Sequence, residues 1–96
     1  MRKYDIMYII RPSVEQEARK ALINELHQIL IDRGQEEMTV NEWGMRELAY
    51  EIDDQKKGYY VVVSVKTSPE AIAELDRVMK IKEDVLRQIV ISREEK

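Results

Sequence analysis

Trp43-Gly44-Met45-Arg46-Glu47-Leu48-Ala49-Tyr50-Glu51-Ile52 is the stretch that decides how this chain is read. Leu48, Tyr50 and Ile52 alternate with Ala49 and Glu51, the period-two pattern of a half-buried strand. A glycine inside such a pattern marks a bulge or a close backbone approach. A bulge re-aims the side chains beside it, so Gly44 followed by Arg46 reads as a device for presenting a guanidinium outward from a long, bent strand. The plainer alternative is that Gly44 relieves twist and Arg46 is a solvated strand residue.

Outward from this stretch, the periodicity changes in a regular order. Lys3 to Arg11 is nearly continuous in apolar residues, which predicts a strand buried on both faces and central in its sheet. Pro12 ends it. Ser13 to Gln16 fits a capping box, and Ala18, Leu22, Leu26, Ile29 and Leu30, widened by Ala21 and Ile23, give a helix one apolar face up to the closing Gly34. A long strand is expected from 36 to 52, with a polar turn over Asp53–Gly58. Tyr59–Val65 is a second near-continuous, β-branched strand. Ser68-Pro69-Glu70 opens another helix with cap, N1 proline and first-turn acid, and Ala71, Ile72, Leu75, Val78 and Met79 form its apolar face. Val85–Ile91 is the last strand. Strand, helix, strand, strand, helix, strand is an α+β order that predicts a ferredoxin-like βαββαβ fold, a four-stranded antiparallel sheet with two helices on one face. One domain over 1–93 with a polar tail at 94–96 is expected.

Composition narrows the function. The chain has 96 residues, no cysteine, and a formal net charge of −3. Without cysteine there are no disulfides, thiolate metal sites or thiol nucleophiles, which fits a reducing compartment. No apolar run approaches the ~20 residues of a membrane span, and the N-terminus lacks a signal-peptide layout, so a cytoplasmic location is expected. Phosphate binding usually shows as a basic excess, and this chain has none. If it binds nucleic acid, its cations must be gathered on one side or a basic partner must share the contact.

Alternation assigns Ile6, Tyr8 and Ile10 with Val61, Val63 and Val65 to the core face. The opposite face would carry Met7, Ile9, Tyr60 and Val62, an exposed apolar patch of the kind that marks a protein partner's surface. Lys57-Gly58-Tyr59-Tyr60 hints at an RNA-stacking strand, but the further aromatics such a platform needs do not follow along it. Catalytic groups are sparse. His27 is the only histidine and reads as a surface or boundary residue; Asp53-Asp54 suits a turn. Arg11-Pro12-Ser13 lacks the glycine-rich phosphate loop that an acylphosphatase-like enzyme would need. No enzyme, metal site, cofactor or small-molecule substrate is expected.

The opening 1–12, Trp43-Gly44, Arg46 with Leu48-Ala49-Tyr50-Glu51-Ile52, Gly58-Tyr59, and Asp76-Arg77 through Lys80-Ile81 together resemble the bacterial small-subunit ribosomal protein S-six (S6) family. The resemblance spans essentially the whole chain. It implies a structural role: binding the central domain of small-subunit ribosomal RNA as a heterodimer with the basic ribosomal protein S-eighteen (S18), which would supply much of the missing positive charge. Carried over by position, RNA contacts would fall on Arg2 and Lys3, on Arg46, and on Arg87, with Lys56 and Lys57 in the hairpin turn as weaker candidates. The family usually carries two basic residues after Trp-Gly-x; here they are Arg46 and Glu47, so one cation is lost. The competing reading from fold class alone is a regulatory module that binds a small molecule as a homodimer.

Overall fold

Two near-continuous apolar runs occupy the middle of the sheet because only a central strand is covered on both faces. The computed structural model describes residues 2–93, in the order β1 (Arg2–Ile10), α1 (Gln16–Asp32), β2 (Glu36–Ile52), β3 (Gln55–Thr67), α2 (Pro69–Ile81) and β4 (Val85–Arg93). The expected tail at 94–96 lies outside the described residues. The strands form one sheet in the order β2-β3-β1-β4, and all three pairings are antiparallel. This is the ferredoxin-like βαββαβ fold.

The core lies between the sheet and the two helices. Tyr4, Ile6, Tyr8 and Ile10 alternate along β1, and Val61, Val63 and Val65 along β3. They meet Leu22, Leu26 and Leu30 of α1 and Ile72, Leu75 and Met79 of α2. Each fully buried aliphatic side chain contributes about 1.5–3 kcal/mol relative to exposure. Ser68 caps α2 as its sequence predicts: its Oγ accepts from the Ala71 backbone N–H at 3.2 Å.

Four sequence expectations need correction. Ser13 does not cap α1. The Val14 N–H reaches the Arg11 carbonyl at 3.2 Å, which commits Pro12 and Ser13 to a turn, and the helix starts at Gln16 after Glu15, whose side chain makes no capping bond. Ala18 and Ala21 are exposed, and His27 takes the buried place in the helix stripe, 8% exposed. The β2–β3 connection is Asp53-Asp54 alone, with φ of 51° and 63°. Ile52 already pairs with Gln55. Two left-handed residues match the twist of the flanking strands, and aspartate tolerates that region. Lys56 and Lys57 therefore lie in β3, not in a turn. Finally, Ile9 is only 3% exposed and does not belong to an exposed patch.

Ile9 is covered because Gly58 presses on it. A Cβ at Gly58 would lie 2.3 Å from Ile9 Cγ2 and 3.6 Å from Leu48 Cδ2. Only a residue without a side chain lets the outgoing hairpin arm pass this close to β1.

Candidate nucleic-acid interface

A strand normally sends residues i and i+3 to opposite faces. Trp43 and Arg46 escape that rule. Glu42 pairs with Val61 and Gly44 with Tyr60, leaving Trp43 as an extra residue without a partner of its own. Gly44 has φ of +87°, a conformation that L side chains rarely adopt. The bulge predicted from the lone glycine is therefore present, and it shifts the alternation by one. Arg46, paired with Gly58, now joins Gly44 and Tyr60 on the face away from the helices.

The consequence is a layered group on the open face. The Trp43 ring lies parallel to that of Tyr60, with centroids 6.2 Å apart and planes at 8°. The Arg46 guanidinium sits over Trp43, 5.1 Å from its centroid. Trp43 is 45% exposed and Arg46 is exposed. No carboxylate among the described residues forms an ion pair with Arg46. Its acidic neighbours point elsewhere. Glu42 accepts a hydrogen bond from the Tyr59 hydroxyl at 2.8 Å on the helix side, and Glu47 stands opposite Lys57.

Cross-strand register fixes the rest of that face. Met7 pairs with Val62 and Ile89; Asp5 pairs with Ser64 and Ile91; Lys3 pairs with Lys66 and Arg93. Met7, Tyr60 and Val62 are half-buried. The larger exposed apolar surface comes from Ile89 and Ile91 on β4, at 40% and 57%. Sequence reasoning left these two out, although β4's alternation of Arg87, Ile89 and Ile91 carries the signal. Beside them, Asp5 accepts from Arg93 Nε at 2.6 Å and from Ser64 Oγ at 2.9 Å. The Arg93 guanidinium holds the Asp5 carboxyl below its ordinary pKa, against the opposing effect of partial burial.

The hairpin arm closes one end of the face. Between Glu47 and Ile52, β2 bows outward while β3 runs only from Lys57 to Gln55. The bow carries Tyr50 across to β4, where Arg87 donates to the Tyr50 hydroxyl and lies 5.5 Å from its ring centroid. Arg11 pairs with Asp53 at the tip and donates from Nε to the Glu83 carbonyl at 2.6 Å. The arm is thus tied to β4 and to the α2–β4 connection.

Of the six cations singled out from sequence, Arg46 and Arg87 share the open face; Lys56 and Lys57 lie on the arm, with Lys57 paired to Glu47 on the other side. Lys3 is on the same face at the far end of β1, and Arg2, paired with Thr67, turns to the other side. Among the described residues there is no group of acidic or imidazole side chains that could hold a metal ion, and no helix is long and apolar enough to cross a membrane.

The family model for ribosomal protein S6 matches residues 3–92. Among solved structures, the 30S ribosomal protein S6 from Thermotoga maritima superposes with a TM-score of 0.87 at 28% identity, covering 96% of this chain and 87% of that one. An Arabidopsis thaliana protein superposes with a TM-score of 0.58 at 15% identity, covering 100% of this chain and 96% of its own. The C-terminal domain of the MgtC protein from Mycobacterium tuberculosis gives 0.52 at 12% identity, covering 97% and 88%. The last two share the fold alone.

Proposed function

The chain belongs to the ribosomal protein S6 family, and from that premise we propose that it binds the central domain of small-subunit ribosomal RNA as a heterodimer with ribosomal protein S18. Its role is that of a structural protein of the small ribosomal subunit, in a family that is structural and not enzymatic. The place of action is the cytoplasmic ribosome.

The observation that carries the RNA contact is Arg46. It is exposed, free of carboxylate partners among the described residues, and on the face opposite the helices. A guanidinium in that state is available to a phosphate, which it grips with two parallel N–H donors. Arg87 serves the same surface with one guanidinium nitrogen held by Tyr50; Lys56 and Lys57 add charge along the arm, Lys57 on the side it shares with Glu47. Arg2 and Lys3 would meet RNA only where it runs past the other end of β1. A net charge of −3 cannot by itself hold a polyanion strongly, which supports a basic partner in the complex. The apolar strip of Met7 and Val62, continued by Ile89 and Ile91, offers that partner a surface, with Tyr60 at its edge nearer Arg46.

The test is a titration of the RNA fragment with this chain, with and without S18, across a range of salt. Binding should depend on the partner. Arg46→Ala should weaken it and flatten the slope of log affinity against log salt by about one unit. Unchanged affinity and slope would remove Arg46 from the contact. Absence of binding in every combination would defeat the RNA-binding proposal.

A further inference from the structure

We infer that Trp43 and Tyr60 form a stacking site for one unpaired base of the bound RNA, with Arg46 on the phosphate beside it. This rests on the RNA-binding reading and adds the mode of contact. An RNA-stacking sheet needs aromatic rings side by side on its open face. Along β3 alone the sequence supplies only Tyr60 on that face. The second ring arrives from β2, and the Gly44 bulge is what delivers it.

Three features suit this site to a base. First, the rings lie nearly parallel, at 8°, whereas the buried Tyr8–His27 pair meets edgewise at 70°. Offset-parallel rings are an ordinary packing mode, and at a surface they present faces parallel to which a flat heterocycle can lie. Second, Trp43 remains 45% exposed although it is the largest apolar side chain in the protein, and it is held there by a positive-φ residue. Third, the charge around it suits RNA. Arg46 lies against the ring, while Glu42 and Glu47 are turned to the opposite side, Glu42 anchored by Tyr59. Because Arg46 lies over the indole, a base on Trp43 requires that side chain to swing off the ring toward the adjoining phosphate.

Trp43 is the sole tryptophan of the chain, so its emission reports on this site directly. With S18 present at saturation, and the Trp43→Phe chain with the same partner as the blank, addition of the RNA fragment should quench the emission in step with binding. Trp43→Leu should lower RNA affinity about 5- to 150-fold, with the salt slope unchanged because no charge is lost. Trp43→Phe should recover most of that affinity, which separates stacking from a folding defect. RNA that binds with unaltered emission, and binds Trp43→Leu equally well, would overturn the stacking site while leaving RNA binding intact. The stacking site is likewise overturned if S18 alone shifts the emission and RNA adds nothing, since the ring would then be covered by protein. If no RNA binds at all, the RNA reading and the stacking site fall together.

Discussion

The Tyr8 hydroxyl and His27 Nε2 share a hydrogen bond of 3.1 Å inside the core, joining the central strand to the middle of α1. It resolves an apparent conflict in the sequence, where a polar ring occupies an apolar helix stripe. Buried polar atoms are tolerated when each satisfies the other. Tyr8→Phe removes one partner and keeps the packing. It should cost about 1–3 kcal/mol, read from the urea midpoint. Adding His27→Leu should recover part of that loss, and the double-mutant cycle measures the coupling.

Acid should weaken this protein through the same pair. Burial holds the His27 imidazole below its ordinary value of 6.5, with the Glu42 carboxylate pulling the other way. Below 6.5 the unfolded chain takes up a proton that the folded chain refuses, so stability falls as pH drops from that point, by at most about 1.4 kcal/mol per pH unit. Above it, His27 contributes no slope. Urea midpoints between pH 5 and 7.5 should show the decline, and His27→Gln should flatten it. Asp5, whose carboxyl is held below 3.8 by Arg93, acts in the same direction at lower pH, where its protonation ends the contribution of that pair.

Two glycines should fail for different reasons. Gly44 has open space around a would-be Cβ but a φ of +87°. Gly44→Ala should cost about 1–2 kcal/mol through backbone strain, and Gly44→Asn should cost less because asparagine tolerates left-handed φ. At Gly58 a Cβ meets Ile9 at 2.3 Å, so Ala should cost about 1–3 kcal/mol and Asn more. Thermal midpoints of the four variants check the ordering.

Helix caps offer a matched pair. Ser68→Ala loses the bond to the Ala71 N–H and should cost about 0.5–2 kcal/mol. Ser13→Ala removes no cap and should stay within about 0.5 kcal/mol. Equal losses at the two sites would contradict the placement of the α1 terminus.

Order of elements, choice of central strands and the full span of β2 follow from local patterns. Continuous apolarity in Tyr4–Ile10 and Tyr59–Val65 demands cover on both faces, and a lone glycine in a strand pattern marks either a bulge, as at Gly44, or a close backbone approach, as at Gly58. These are properties of neighbouring residues, so they can be seen in the chain itself. His27 was partly visible too, since it continues the stripe of Ile23 and Leu30 at helical spacing. Its partner was not, because Tyr8 is nineteen residues away and the pair exists only after α1 packs on β1.

What tertiary structure alone decided concerns distance across the sheet. β2 and β4 lie on opposite edges, yet Arg87 bonds Tyr50, because the bowed arm sweeps over the end of β1. The same sweep buries Ile9 and moves the exposed apolar surface toward Ile89 and Ile91. Alternation tells which face a residue takes, and a bulge tells that the alternation slips. Neither specifies which strand's side chains meet once the sheet has twisted. That is why Arg46 could be singled out from the sequence, while its setting beside Trp43 and Tyr60 required the folded sheet.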